Sequence, residues 1–331
     1  MVDPTIADLV ARALPGRRVG SVERIGGDRG VFSLVHRVTL EPASVEPRSV
    51  VVKQPDPGPN GSAAAASGAY EREALAYRSI LPVTPVAAPR CHLVDSQGDG
   101  RASFVLEDLT RWRAVDQLDG LSTGDAAALV DELGVLHRRW ANGAADDLPV
   151  RRATPAAFDP AALARGLAVV SERWQESAGA APPLVLGRLL SRRAELVDAF
   201  ASAGPVTLCH GDPRADNVVF SSTGRAVLFD WQQLGVNLPQ ADLAWLTTTS
   251  LEPETRRRCE DDLIVGHAAG LGQDPEEARL RYRLGMILPG LAVLLLAQRQ
   301  LTSERAERFV ATSLRRIATA VDDLEIAALA S

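Results

Sequence analysis

The chain changes periodicity part-way along, and that change limits what it can fold into. From Gly20 to Lys53, short β-branched runs alternate with glycine and proline, Ser21 to Ile25, Phe32 to Leu40 and Ser49 to Lys53, and two more runs follow further along, Cys91 to Val94 and Ser103 to Leu106. Such runs read as strands, and the first three as an antiparallel meander. Beyond Ser122 the apolar residues recur at helical spacing, as in Leu129, Leu133, Leu136 and Trp140. The expected class is therefore α+β and bilobal, with a small β-rich N-terminal lobe and a larger, mainly helical C-terminal lobe. The polar connection Glu107-Asp108-Leu109-Thr110 marks the join, so the lobes are expected at residues 1–108 and 109–331.

Within this frame, residues Pro55 to Gly68, rich in Gly, Pro, Ser and Ala, read as a mobile loop. A helix should follow, because Tyr70, Ala74, Tyr77 and Leu81 fall on one face. Glu73 lies inside that apolar stripe, and a carboxylate turned toward a core wants a cation. Ser122 with Asp125 has the spacing of a helix cap, and Asp274-Pro275 that of an N-cap followed by N1 proline. Two short β-runs, Val206 to Cys209 and Val218 to Phe220, interrupt the helical half, and Ala226 to Phe229 makes a third.

Composition excludes several classes. Formal charge is −6 and the basic residues are scattered, so nucleic acid is not an expected partner. The greasiest stretch, Met286 to Ala297, is too short for a bilayer span and reads as a buried helix; no membrane partner is expected. Met1 to Val10 carries Asp3 and Asp8 and lacks the basic and apolar regions of a secretory signal, so a cytoplasmic location is expected. Cys91, Cys209 and Cys259 are odd in number and far apart, and read as inert thiols in a reducing compartment.

The chemistry-bearing segment is His210-Gly211-Asp212-Pro213-Arg214-Ala215-Asp216-Asn217, followed downstream by Asp230 in Leu228-Phe229-Asp230-Trp231. Each polar residue sits at the end of an apolar run, where a side chain can face a cleft. Taken singly, Asp and Asn there are also what turns and strand ends select. Taken together they offer a base, an amide oxygen and a metal-binding carboxylate, which phosphoryl transfer requires.

This pattern resembles the aminoglycoside phosphotransferase and choline kinase-like family, and the run Asp230-Trp231-Gln232 with Asp242-Leu243-Ala244 resembles its ecdysteroid kinase-like branch. The resemblance extends to the glycine turn Gly26 to Gly30, to Lys53 at the end of Val51-Val52-Lys53, to Glu73 and to Leu106-Glu107-Asp108-Leu109. It implies a protein-kinase-like fold and a kinase acting on a small hydroxyl-bearing acceptor. It also implies ATP or GTP as donor, with Mg²⁺ held by Asn217 and Asp230. Asp212 would be the base, Lys53 would pair with phosphates while Glu73 holds it, and Gly26, Gly27 and Gly30 would admit backbone amides to the phosphates. The segment from Glu107 to Leu109 would meet the adenine edge, and Asp242 would brace the catalytic loop.

Pro213 departs from the bulky residue common at that position. His210 reads as a positioning residue, Trp231 and Trp245 as core packing, and His92, His137 and His267 carry no partner pattern. Arg214 can pair with a carboxylate beside the loop or reach a substrate anion. A P-loop kinase is excluded because no GxxxxGK[ST] run exists, and a protein kinase is disfavoured by His-Gly-Asp and by Trp after the metal Asp. A nucleotide-binding regulator without turnover is the alternative class, and an antibiotic-inactivating enzyme the narrower one. Glu260, Asp261 and Asp262 are candidates to line a cleft for a polycation, or a solvated helix face. Low aromatic content argues against choline. The acceptor pocket is expected from Phe158 to Phe200 and the C-terminal helices.

Overall fold

The structure, a computed structural model, describes residues 4–26, 33–150, 152, 154–301 and 303–330. The chain divides into two compact units: Met1–Arg113 with Val227–Gln233, and Ala114–Ala226 with Leu234–Ser331. Asp230 thus belongs with the N-terminal strands, far from it in sequence.

The first unit is built on strands β1 (Arg18–Ile25), β2 (Ser33–Glu41), β3 (Ser49–Pro55), β4 (Cys91–Ser96) and β5 (Ala102–Glu107), all antiparallel in the order β1-β2-β3-β5-β4. The expected meander holds for β1 to β3, and β5, not β4, then pairs with β3. The reason is burial: Ala102 to Leu106 are all buried, so β5 needs cover on both faces and a strand on each side, whereas half-buried β4 tolerates an edge. One face packs on α1 (Pro4–Ala13), whose Ile6, Leu9 and Val10 meet Val38, Leu40, Val50, Val52 and Val105. Each such side chain withdrawn from water stabilises by about 1.5–3 kcal/mol. On the other face Phe104 packs at 5.8 Å between ring centroids from Tyr77.

The expected loop from Pro55 to Gly68 instead contains a helix, α2 (Pro59–Ala66). Its four consecutive alanines are the best helix formers, and Pro59 stands in the first turn where its missing N–H is harmless. Gly61 allows that helix to sit against the chain before it, since a Cβ would lie 1.8 Å from the Asp56 carbonyl. Gly68, at φ +73°, makes the corner into α3 (Ala69–Leu75). The helix then widens to a π turn over Ala76–Ile80 and tightens over Leu81–Val83. Tyr70, Glu73, Ala74 and Tyr77 are buried as expected, while the change of pitch leaves Leu81 only half-buried.

A two-residue strand β6 (Arg113–Ala114) leads to the second unit, which is mainly helical: α4 (Thr123–Arg139), α5 (Pro160–Arg173), α6 (Gln175–Ala178), α7 (Ala181–Ser191) and α8 (Arg193–Ser202) precede the short strands. These are β7 (Thr207–Cys209), β8 (Val218–Phe220), β9 (Ala226–Leu228) and β10 (Gly235–Asn237), and β7 pairs with β10 antiparallel. Then come α9 (Pro239–Ser250), α10 (Pro253–Gly270), α11 (Pro275–Gly285), α12 (Ile287–Leu296) and α13 (Glu304–Asp323). Ser122 caps α4 by accepting from the Asp125 N–H, and Asp274 caps α11. The apolar run of α12 is helical and largely buried, packed on α5, α9 and α13. No helix among the described residues is long and apolar enough to cross a membrane.

Close approach of α5 and α12 depends on Gly166, where a Cβ would lie 2.3 Å from the Leu294 carbonyl oxygen. Gly166→Ala should therefore lower Tm, because a clash of about 1–3 kcal/mol outweighs the roughly 1 kcal/mol gained in helix propensity. Thermal melts decide it: an unchanged or raised Tm would show that these helices separate freely.

Candidate active site

Two groups of side chains carry the candidate chemistry, one on each unit. In the first unit, Lys53 on β3 alternates with Val52, which faces α1, so the lysine side chain goes to the opposite face. There its Nζ donates to Glu73 Oε1 at 2.8 Å, Glu73 Oε2 at 2.7 Å and Asp230 Oδ1 at 2.7 Å. The second Asp230 oxygen accepts from Gln232 Nε2 at 3.2 Å, and Arg72 Nε holds the Gln232 carbonyl at 2.8 Å. Asp230 itself adopts φ +64°, a left-handed setting that Asp tolerates better than most residues.

Burial opposes the charge on Lys53, but two carboxylates outweigh it and raise its pKa above the usual lysine value. Burial lifts the Glu73 carboxyl to about 7; Lys53 opposes that rise and Asp230 adds to it. Gly26 ends β1 at φ +82°, with nothing near the place of a Cβ. Gly27 and Gly30 lie outside the described residues.

At the end of β5 the Glu107 N–H donates to the Arg90 carbonyl at 2.8 Å, and Glu107 Oε2 accepts from Arg90 N–H at 3.1 Å. The Leu109 carbonyl accepts from Trp112 N–H at 2.9 Å. Between them, Asp108 accepts from Arg37 Nε at 2.7 Å, Ser49 Oγ at 2.5 Å and Thr110 N–H at 2.9 Å. Despite its burial, these donors hold the Asp108 carboxyl down to about 2.

In the second unit, residues 210–217 follow β7 as an irregular loop, and a buried irregular backbone must find a partner for each N–H. His210 N–H and Gly211 N–H donate to Asp242 Oδ2 and Oδ1 at 2.8 and 2.9 Å. Asp212 N–H donates to His210 Nδ1 at 3.3 Å, which makes that imidazole a local positioning group. Pro213 has no N–H to satisfy. Arg214 N–H reaches the Asp212 carbonyl, Ala215 N–H the Ser250 hydroxyl, Asp216 N–H the Gln117 amide oxygen, and Asn217 N–H the Arg214 carbonyl. Gln117 is held in turn by the Thr249 carbonyl at 2.6 Å.

This frame presents the Asp212 carboxylate. Its Oδ1 accepts from Trp245 Nε1 at 2.8 Å, and its Oδ2 from Asn217 Nδ2 at 2.9 Å; Asn217 Nδ2 also reaches the Asp212 carbonyl. Arg214 Nε lies 3.3 Å from Oδ2. Trp245 was expected in the core and instead grips this carboxylate, while Trp231 is fully buried as expected. The former is invisible in sequence, because only the packing of α9 beside the loop turns that indole N–H toward Asp212.

His137 and His267, which carry no partner pattern in sequence, prove to be paired. His137 Nε2 lies 3.1 Å from Asp242 Oδ2, and its Nδ1 lies 2.8 Å from His267 Nε2. Burial, then His137 and Arg138, depress the His267 pKa to about 2, so it stays neutral. The ligand-type atoms of His137, Cys209 and Asp242 lie within 4.8 Å of one another, yet Asp242 already accepts from the loop, so the cluster is a hydrogen-bonded brace. All three cysteines are free. In the acidic run on α10, Glu260 pairs with Arg256 at 2.6 Å and Asp261 with Arg279 at 2.6 Å.

With this geometry in hand, the comparisons with known proteins are decisive. The sequence matches the Phosphotransferase enzyme family, APH, over residues 36–282. The chain belongs to that family. No curated protein matches it in sequence. Among solved structures, this phosphotransferase-family chain resembles a putative aminoglycoside phosphotransferase from Ralstonia eutropha (15% identity, TM-score 0.61, 98% of this chain and 97% of the other). It is also similar to the choline kinase LicA from Streptococcus pneumoniae (17%, TM-score 0.56, 95% and 98%). A third likeness is to an aminoglycoside phosphotransferase from Streptomyces rimosus solved with ADP and streptomycin (20%, TM-score 0.53, 88% and 99%). These likenesses establish the kinase-like α+β fold, small sheet-based lobe and helical lobe included, that the sequence led us to expect.

Removing the Asp242 carboxylate leaves two buried loop N–H groups and His137 without an acceptor. At about 1–3 kcal/mol for an orphaned buried donor, Asp242→Ala should lose roughly 3 kcal/mol of stability, read by urea unfolding. A loss under about 0.5 kcal/mol would mean the loop has other support. The raised Glu73 carboxyl has its own signature. Its folded pKa near 7 lies above the ordinary value of 4.5, so the folded state binds the extra proton and Glu73's contribution to stability falls as pH rises from 4.5 toward 7. Glu73→Gln should flatten that part of the stability–pH curve, and an unaltered slope would place the titration elsewhere.

Proposed function

We propose that this chain transfers the γ-phosphate of ATP, or of GTP, to a hydroxyl of a small molecule, with Asp212 as the base. The observation that carries this reading is the setting of Asp212: a mostly buried carboxylate whose two oxygens are aimed by Trp245 and Asn217, on a loop with each N–H bonded. A base must be held within reach of the proton it takes, and this one is fixed from several sides.

In the transfer, the acceptor oxygen forms a bond to the γ-phosphorus as its proton passes to Asp212. The bond from that phosphorus to the β–γ bridging oxygen breaks, and the nucleoside diphosphate leaves with the electron pair. Lys53, held by Glu73 and Asp230, would pair with the nucleotide phosphates, and Gly26, Gly27 and Gly30 would admit backbone amides to them. The segment from Glu107 to Leu109 would meet the adenine edge. Asn217 spends its amide nitrogen on Asp212, which leaves its Oδ1 as an oxygen donor, and Asp230 supplies a carboxylate. Both are the hard ligands that Mg²⁺ selects, so they would hold that ion, whose charge would offset that of the phosphates. Solved members of this fold that hold ADP beside streptomycin or spectinomycin support a nucleotide donor and a small acceptor.

The test is ADP release from Mg²⁺-ATP across a panel of hydroxyl compounds. Asp212→Ala should lower turnover by roughly 10²–10⁴-fold while nucleotide affinity, measured by calorimetry, stays near wild type. Asp230→Ala should weaken Mg²⁺-nucleotide binding as well. Full turnover in Asp212→Ala would overturn the assignment of the base, and nucleotide binding without turnover on every acceptor would favour a regulator.

A further inference from the structure

Behind the loop that presents Asp212, helices α4, α9 and α10 and strand β7 are joined through two imidazoles. His137 stands in the last turn of α4 and His267 in the last turn of α10. Both are buried, at 0% and 4% exposure, and their rings meet edge to face at 89° with centroids 5.1 Å apart. The backbone of His137 is anchored, because its carbonyl accepts from Thr207 Oγ1 on β7 at 2.9 Å. Its ring bridges two partners, with Nε2 3.1 Å from Asp242 Oδ2 and Nδ1 2.8 Å from His267 Nε2. Asp242, in the first turn of α9, in turn receives the His210 and Gly211 N–H groups.

The protons in this chain of contacts follow from its two ends. A carboxylate has none to give, so His137 Nε2 carries the N–H and donates to Asp242. At the far end, His267 Nδ1 is buried with no hydrogen-bond partner among the described residues. A buried N–H left without an acceptor is rarer than an unused lone pair, so the lone pair falls on that nitrogen. Arg138, whose Nη1 lies against Gly134 on α4 and Gly270 on α10, adds to burial in keeping His267 neutral, with a single N–H. That N–H therefore sits on Nε2 and donates to His137 Nδ1. Each imidazole fixes the next: with Nδ1 occupied as an acceptor, His137 is locked in the tautomer that aims its N–H at Asp242. In the other tautomer a lone pair would face the carboxylate across the same 3.1 Å.

We propose that His267 is a positioning residue for the transfer, acting on Asp212 through His137, Asp242 and the N–H groups of His210 and Gly211. The proposal rests on the reading of Asp212 as the base. Buried on α10, His267 meets no substrate. Its part is to select the His137 tautomer with which Asp242 holds the loop in place, and that part depends on the donor N–H and not on the volume of the ring.

The experiment uses the full chain, Mg²⁺-ATP and an acceptor found in the hydroxyl panel. It compares His267→Phe, which keeps a ring and loses the donor, with His267→Gln, whose amide N–H takes the donor's place. His267→Phe should lower kcat by about 10–100-fold with KM for Mg²⁺-ATP within about twofold of wild type, and His267→Gln should return kcat to within about fivefold of wild type. Wild-type kcat in His267→Phe, equal losses in the two variants, or an effect on KM for Mg²⁺-ATP alone would overturn the proposal. Two readouts need no turnover, and the first needs no variant. In wild-type protein carrying ¹⁵N-labelled histidine, His137 and His267 should both show the Nε2–H tautomer, and an Nδ1–H tautomer at either overturns the proposal. Amide hydrogen exchange at His210 and Gly211 should run at least about tenfold faster in His267→Phe than in wild type, and unchanged exchange overturns it as well. Asp212→Asn tells the two readings apart. Turnover that survives in it sinks the base and leaves tautomer and exchange to judge His267, whereas turnover lost in Asp212→Asn but kept in His267→Phe sinks the role of His267 alone.

Discussion

A buried loop with only one short 3₁₀ turn has to find, largely from side chains, the hydrogen bonds that a helix or strand would supply from its own backbone. Residues 210–217 meet this demand through Asp242 and Ser250 on α9, Gln117 before α4, and short bonds within the loop itself. Much else follows from it. Helix α9 is buried around nearly its whole circumference because one side holds the loop while others pack on α4, α11, α12 and α13. Arg316, fully buried on α13, donates to the Gln117, Thr249 and Leu118 carbonyls and so fixes the supports of the loop in their turn. His137 closes the other side by occupying Asp242, with neutral His267 behind it.

The first unit solves a different problem, that of a charge taken out of water. Lys53 is nearly enclosed, and a lone buried ammonium would lose its proton; two carboxylates keep it charged. They come from separate parts of the chain, Glu73 from α3 and Asp230 from the segment that returns to this unit after β9. The three charges sum to one negative when both acids are ionised. The raised pKa of Glu73 is chiefly the consequence of its burial, with the Asp230 carboxylate adding to it and Lys53 opposing it.

Ion pairs also tie the helices of the second unit together, Arg256 of α10 to Asp323 of α13 and Arg279 of α11 to Asp261 of α10. On α10, Glu260 is held by Arg256 and Tyr282, and Asp261 by Arg279.

The sequence by itself determined the division into strands and helices, the caps at Ser122 and Asp274, the burial of Glu73 within an apolar stripe, and the family, because each is written in local spacing. It misread Pro55 to Gly68 as a loop, since composition rich in small residues suits a turn and a tightly packed helix alike, and only the fit of Gly61 against the Asp56 carbonyl separates them. Tertiary structure alone decided that Trp245 holds Asp212 and leaves the core, and that His137 and His267 are partners. Those contacts join residues from about thirty to more than a hundred positions apart, and no local pattern encodes which way a side chain points once its helix has packed.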